Sequence, residues 1–461
     1  MLHFFLHYIN LNLFRRIFPL SLTLAYFVGV DISRAIAQLQ PDNKLGEENS
    51  VVTPNINIKG IESDRIDGGA QRGANLFHSF QEFNIQQGRG VYFSNPDGVQ
   101  NILTRVTGNN GSNILGTLGV DGKADLFFIN PNGIIFGPEA KLDVQGSFYG
   151  ATADSILFKN GFEFASSDPQ APPLLTVNVP IGLRLPENPG SILVQGQGHK
   201  IGFKDELFTY KRGHRNQGLK VGLGQTLGLV GGDISLRGGN LTSIGGRVEL
   251  GSVQSGVVGI TDTANPLNYD EISVFGSIQL SSESSIDVSG EGAGEFKIQG
   301  EYIKVLDGSR ILANTEMSDD GATSSIGASE SIELLGTNTD GTIRSGITVE
   351  VEKGATGKGG NLTIDTKSLY LREKGDITVG TIGEGKGGNL TIDATNVELK
   401  GKSDDESRQN TIINVLVKIG GQGNAGDLNL KTGSLTLRDG AQISTTTFDQ
   451  GNAGNLTVSA R

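Results

Sequence analysis

Apolar residues along this chain come in short runs with alternate positions hydrophobic, and each run stops at Gly or Asn. Long helical spacing is absent, so the pattern predicts an all-β protein. In the carboxyl half the runs repeat. Gly359-Gly360-Asn361-Leu362-Thr363-Ile364 returns as Gly387-Gly388-Asn389-Leu390-Thr391-Ile392. It returns again at Ala425-Gly426-Asp427-Leu428 and at Ala453-Gly454-Asn455-Leu456, in steps of 28, 38 and 28 residues. Inside one repeat, Leu369 and Leu371 follow Leu362 and Ile364, then come Gly375 and Ile377. Three short strands with alternate residues inward, Gly corners and one longer polar loop make one coil of a parallel β-helix. Weaker coils precede it, at Ile234 and Leu236, Val248 and Leu250, Ile278 and Leu280, and Ile303 and Val305.

Two stretches interrupt the coils. The extra residues between Asn389 and Asp427 predict a bulged loop, centred on the polar Ser403-Asp404-Asp405-Glu406-Ser407-Arg408. Gly196 to Leu219 holds Lys200, Lys204, Lys211, Arg212 and Arg215, and reads as an extra-helical hairpin or loop on the side of the solenoid. A solvated hairpin is the simplest expectation for it; contact with an acidic glycan is the alternative.

The stretch from Ala124 to Gly137 stands out. Leu126 to Ile129 is continuously apolar and reads as a buried strand. Asn130-Pro131-Asn132-Gly133 then suits a type I turn, because Pro presets φ at the second position. Ile134 and Phe136 resume the apolar pattern. Thirty-five residues earlier, Val91-Tyr92-Phe93-Ser94 leads into Asn95-Pro96-Asp97-Gly98. The two copies predict corners placed one above the other in successive coils.

Composition narrows the function. The chain has 461 residues, no Cys, no Trp and 68 Gly, without the three-residue period of collagen. Arg15 and Arg16 precede an apolar run from Ile17 to Val30, and Ala35-Ile36-Ala37 is a small-x-small cleavage site before Gln38. Residues 1–37 therefore read as a secretory signal. Its removal leaves 35 basic and 49 acidic residues, a net charge of −14 against −12 for the whole chain. So acidic a surface disfavours nucleic acid as a partner.

Asn75-Leu76-Phe77-His78-Ser79-Phe80, the segment Ser112-Asn113-Ile114-Leu115-Gly116, and Asn130-Pro131-Asn132-Gly133-Ile134 resemble the amino-terminal secretion domain of filamentous haemagglutinin-like exoproteins of the two-partner secretion system, in their cyanobacterial form. Better-known members carry Cys after that turn; here Ile135, Phe136 and Gly137 stand instead. The resemblance implies a right-handed parallel β-helix with an amino-terminal cap. It implies export through a dedicated outer-membrane β-barrel transporter, whose periplasmic domains recognise the secretion domain. It places the secretion motif on Asn75, Leu76, Phe77, His78, Ser79, Phe80, Asn130, Pro131, Asn132, Gly133 and Ile134. The expected organisation is a signal peptide over 1–37, a two-partner secretion (haemagglutination activity) domain over 38–265, and β-helix repeats over 266–461.

Chemistry is sparse. Asp319-Asp320 and Asp404-Asp405 are acid pairs, but His199 and His214 precede both, inside the basic loop. A pectin-active site would need His, Arg and Lys on adjacent coils. His78, between Phe77 and Ser79, reads as a structural core histidine. Five His and no Cys give no metal-ligand spacing, and the Gly-rich segments match neither a calcium β-roll nor a phosphate loop. No cofactor is expected. The expectation is a secreted or cell-surface, non-enzymatic adhesin or structural protein, which contacts a glycan or protein of the cell surface if it binds one. A β-helical polysaccharide-active enzyme and the front end of a contact-dependent toxin are the alternatives. The repeats also predict that the chain is incomplete, since Gly454-Asn455-Leu456 is followed by one strand where earlier copies have three.

Overall fold

A computed structural model describes residues 39–173, 179–203, 210–261, 267–401 and 410–460. The signal segment with its cleavage residues Ala37 and Gln38, Lys204, and the loop centred on 403–408 lie outside the described residues. The described chain is built from β-strands, with one short 3-10 turn at Gly213–Asn216.

The strands stack as a three-faced parallel β-helix. On the first face Asn75–Phe83, Asn101–Val106, Asp125–Ile129, Phe148–Ala151, Thr226–Gly231 and Arg247–Ser252 pair in register, each parallel to the next. The second face stacks Ser112–Ile114, Ile134–Phe136, Ile192–Gln195, Ile234–Arg237 and Ser277–Ser281. From Glu295–Leu306 onward, the first two faces are supplied by one long strand with a bend in it. In Leu362–Arg372 the bend shows as a change of phase. Leu362, Ile364 and Thr366 are buried; after it Leu369 and Leu371 are. The third face runs through Asn240–Thr242, Ser285–Asp287, Arg310–Leu312, Gly346–Val351, Asp376–Thr381 and Ile412–Val417. Inward Leu, Ile and Val of all three faces form one continuous core.

The repeat motif has a steric and a hydrogen-bonding cause. A Cβ on Gly388 would sit 1.7 Å from the carbonyl oxygen of Gly360 one coil below, so only Gly permits that approach. The next residue forms a ladder. Asn361 Oδ1 accepts the Asn389 N–H at 2.9 Å, Asn389 Oδ1 accepts the Asp427 N–H at 2.9 Å, and Asp427 Oδ1 accepts the Asn455 N–H at 2.8 Å. The predicted spacing is the observed register: Leu362 pairs with Leu390, Leu390 with Leu428, and Leu428 with Leu456.

The first coil is capped. Leu39–Pro41 and Ala70–Arg72 run antiparallel along Asn75–Phe83, and Ser50–Ile58 runs antiparallel along Ile61–Gly68. These strands cover an edge that a parallel stack would leave open.

A lateral antiparallel sheet, absent from the sequence expectation, covers the outer side of the first face. It joins Glu163–Ala165, Ser155–Phe158, Pro180–Leu185, Gly256–Ile260 and Leu267–Asn268. Phe158, Phe164, Leu183 and Val258 pack on Phe77, Leu103, Phe127 and Tyr149, making a second core. The strands beneath are buried on both sides, which is why Leu126 to Ile129 is continuously apolar.

Candidate functional site

The residues Asn75 to Phe80 open the first strand of the first face, and all six are buried. They are the joint between cap and solenoid. One edge pairs parallel with the next coil, from Asn75 opposite Asn101 to Phe80 opposite Val106. The other edge takes the antiparallel cap, with Ala70 opposite Phe77 and Pro41 opposite Phe80. Leu76 and Phe80 belong to the solenoid core, whereas Phe77 turns outward against Phe164, with ring centroids 4.9 Å apart.

His78 lies inside, 5.2 Å from the ring of Phe93. Its Nδ1 shares a 3.0 Å hydrogen bond with the Ser50 hydroxyl, which also accepts the Ser79 N–H. Nε2 is buried without a hydrogen-bond partner. Burial pushes the imidazole down to about 3, a smaller attraction from Asp67 notwithstanding, so the ring is neutral at ordinary pH. A ring sealed in the core, bonded to the Ser50 hydroxyl and packed on Phe93, is in keeping with a structural role.

Ser79 faces the other way, into a polar joint. Its hydroxyl donates to Asp42 at 2.8 Å and accepts from Arg105 Nε at 3.0 Å. Arg105 is fully buried; its guanidinium sits 4.2 Å from the Phe164 ring centroid and donates to the Gln170 carbonyl. Burial pushes it down to about 10, opposed by Asp42. Arg72 donates in parallel to the Pro172 carbonyl and pairs with Glu48 at 2.6 Å. Two arginines thus tie the lateral sheet's 166–172 connection to the cap region. Neither was a sequence candidate; a lone Arg between Thr104 and Val106 carries no local signal.

The Asn130 turn closes as expected: the Gly133 N–H donates to the Asn130 carbonyl at 3.1 Å, and neither Pro131 nor Asn132 has positive φ. Asn130 is completely buried. Its Oδ1 accepts the Asn132 N–H, and its Nδ2 donates to the Asn110 carbonyl and the Ser112 hydroxyl, each at 3.0 Å. Asn132 is exposed, yet its Nδ2 donates to the Gly108 carbonyl at 2.8 Å. From the coil above, the Gly190 N–H donates to the Pro131 carbonyl and the Ser191 carbonyl accepts the Ile134 N–H. The corner is therefore knitted to both neighbouring coils.

The earlier copy does not stack on it. There the turn is one residue later, closed by the Val99 N–H on the Pro96 carbonyl, with Gly98 at φ +81° as a type II turn requires. It follows Gly90–Ser94, whose parallel stack with Thr117–Asp121 and Lys141–Asp143 continues at Val144 opposite Val221 into the third face, and so joins that face to the first, whereas Asn130 joins the first to the second. The two corners belong to different edges, because the spacing of 35 residues exceeds the 24-residue coil step from Asn101 to Asp125.

Other candidates are not gathered into a site. Asp319 and Asp320 are exposed, and Asp320 pairs with Lys358 at 3.0 Å. His199 is buried in the basic segment, and Asp404 and Asp405 lie outside the described residues. Arg212 and Arg215 are not solvated: they are held by Asp287, Glu316 and Glu352 of this same chain. Among the described residues no cluster of three or more His, Asp or Glu could hold a metal ion, and no helix is long and apolar enough to cross a membrane.

The chain is similar to known proteins. The crystal structure of the HMW1 secretion domain from Haemophilus influenzae superposes with a TM-score of 0.52 at 17% identity, over 91% of this chain and 100% of that one. A filamentous hemagglutinin secretion domain superposes with a TM-score of 0.36 at 15% identity, over 90% and 99%. The heme/hemopexin-binding protein of Haemophilus influenzae is 39% identical over 69 residues, which are 15% of this chain and 7% of that protein. The TPS (two-partner secretion) secretion domain matches residues 37–300, more than half of the chain. The chain belongs to the TPS secretion domain family, and is a secreted exoprotein of the two-partner system.

Proposed function

We propose that this chain is a non-enzymatic adhesin or surface-structural exoprotein. A dedicated outer-membrane β-barrel transporter, acting through its periplasmic domains, recognises its amino-terminal coils. Residues 1–37 serve as the signal peptide, 38–265 as the secretion domain and 266–461 as display coils. The supporting observation is the placement of the two motifs. Asn75 to Phe80 are buried and set the joint of cap and first coil; Asn130 fixes the corner from within, while Asn132 is the one exposed residue of the motif. The motifs therefore act by shaping the surface that the transporter meets. Exposed Asp319 and Asp320, with Lys358 as the cationic partner of Asp320, resemble solvated loop acids more than a catalytic pair.

The test is export of the chain with its own leader, co-expressed with its transporter. Asn130→Ala with Asn132→Ala leaves the Asn110 and Gly108 carbonyls and the Ser112 hydroxyl without these donors, at about 1–3 kcal/mol for each group left buried and unsatisfied. Secreted protein should fall at least tenfold. Unchanged secretion counts against the role. New reducing ends or unsaturated products from anionic polysaccharides would count against the non-enzymatic reading.

A further inference from the structure

In a solenoid each coil touches only its neighbours, so stability is a sum of local terms. One segment here reaches further. It leaves the second face after Ile192–Gln195 and returns to the third face at Leu219–Lys220. Between them, its contacts run forward along the third face. The His199 N–H donates to the Glu283 carbonyl at 2.7 Å. His199 Nδ1 accepts the Ile201 N–H at 2.8 Å, so Nε2 carries the proton that bonds the Gly308 carbonyl at 2.9 Å. Ile201 packs with Leu312 and Ile343. Arg212, 8% exposed, pairs with Glu316 and Glu352, both at 2.5 Å. Arg215 pairs with Asp287 at 2.9 Å and Glu316 at 2.5 Å.

These acceptors sit on or beside three successive rungs, Ser285–Asp287, Arg310–Leu312 and Gly346–Val351. Strands stack about 4.8 Å apart. Glu316 and Glu352 follow the paired Thr315 and Val351, so they stack as a column of like charge if the two guanidiniums are withdrawn; Asp287, fully buried, pairs in register with Leu312 and lies beside that column, where Arg215 bridges it to Glu316. Buried like charges repel strongly, and a buried carboxylate without a partner is costly. Glu316 and Glu352 lie beyond residue 300, outside the matched secretion domain.

We propose that His199, Ile201, Arg212 and Arg215 form a clasp through which the secretion domain holds the later coils. The clasp neutralises the acid column and fuses the rungs from 285 to 351 with the rung it springs from, as one cooperative unit. The secretion domain is then a stabilising partner for the repeats as well as an export signal. This inference is independent of the adhesin reading.

Hydrogen exchange by mass spectrometry on residues 38–461 tests it. In Arg212→Gln with Arg215→Gln, amides of 285–288, 310–316 and 346–352 should exchange at least tenfold faster, while 101–136 and 390–400 stay as in the parent. Adding Asp287→Asn, Glu316→Gln and Glu352→Gln removes the acid group that the arginines neutralise, so exchange in the quintuple variant should return to within about threefold of the parent. If the arginine variant fails to fold, the quintuple variant should still fold. Unchanged exchange, loss spread evenly along the chain, or a quintuple variant no better than the double one would overturn the clasp.

Discussion

The Ser50 hydroxyl and the His78 imidazole, 28 residues apart in sequence, share a 3.0 Å hydrogen bond at the buried junction of cap and first coil. Ser50 opens an antiparallel cap strand and His78 lies in the first strand of the parallel stack that makes the first face, so the pair ties the cap to that face. Gly69 makes room for it. A Cβ there would lie 2.8 Å from His78 Cε1 and 2.7 Å from the Phe77 carbonyl, at φ +85°. A histidine held neutral by burial, next to a glycine whose Cβ would collide with it, marks a position set by shape.

His78 gives stability a pH dependence. Its folded value, about 3, lies below the unfolded 6.5, so protons bind the unfolded chain preferentially. Its contribution is complete above pH 6.5 and is lost as pH falls toward 3, at about 1.4 kcal/mol per pH unit. His78→Leu should remove that slope, as read from urea midpoints between pH 5 and 6.5. A slope equal to the parent's would contradict the buried neutral ring.

Glu249 works in the opposite direction. It is wholly buried, with Arg247 at 3.2 Å, Lys297 and Glu295 on the adjoining strand, and Tyr269 of the lateral connection nearby. Burial pushes its carboxyl up to about 7, from 4.5 unfolded, against the pull of Arg247 and Lys297. Its contribution is complete below pH 4.5 and is lost as pH rises to 7. Between pH 5 and 6.5 the two slopes oppose each other, each reaching at most about 1.4 kcal/mol per unit. Glu249→Gln should therefore leave stability rising with pH, and His78→Leu should leave it falling. Parallel slopes in the two variants would refute the pairing.

The repeat motif supplies a graded test. Asn389→Ala deletes the acceptor for the Asp427 N–H and should cost about 1 kcal/mol. Gly388→Ala drives a Cβ onto the Gly360 carbonyl and should cost about 3 kcal/mol or more, since two coils must separate. Thermal melts of both variants check the order. A Gly388→Ala chain as stable as Asn389→Ala would show that the coils yield easily.

The solenoid was legible because its information is local. Alternating apolar residues at Leu362, Ile364, Leu369 and Leu371 fix which way each side chain points, and a stacked coil repeats that demand at every rung. The 28- and 38-residue steps become the pairings of Leu362, Leu390, Leu428 and Leu456 without adjustment. His78 was legible as a core histidine.

Other features depended on partners far along the chain. Continuous apolarity at Leu126 to Ile129 announced burial on both sides, but nothing local says that Leu183 and Val258 supply the cover, paired with each other across 75 residues. Arg212 and Arg215 read as a basic surface loop because their carboxylates lie 72 to 140 residues downstream. The two Asn-Pro-Asx-Gly copies looked equivalent until the coil length set one on each of two edges. Periodicity encodes the direction of each side chain, and through it the helix. What meets that side chain is set by chain reversals and long-range contacts, which leave no period to read, and these place the cap, the lateral sheet and the clasp.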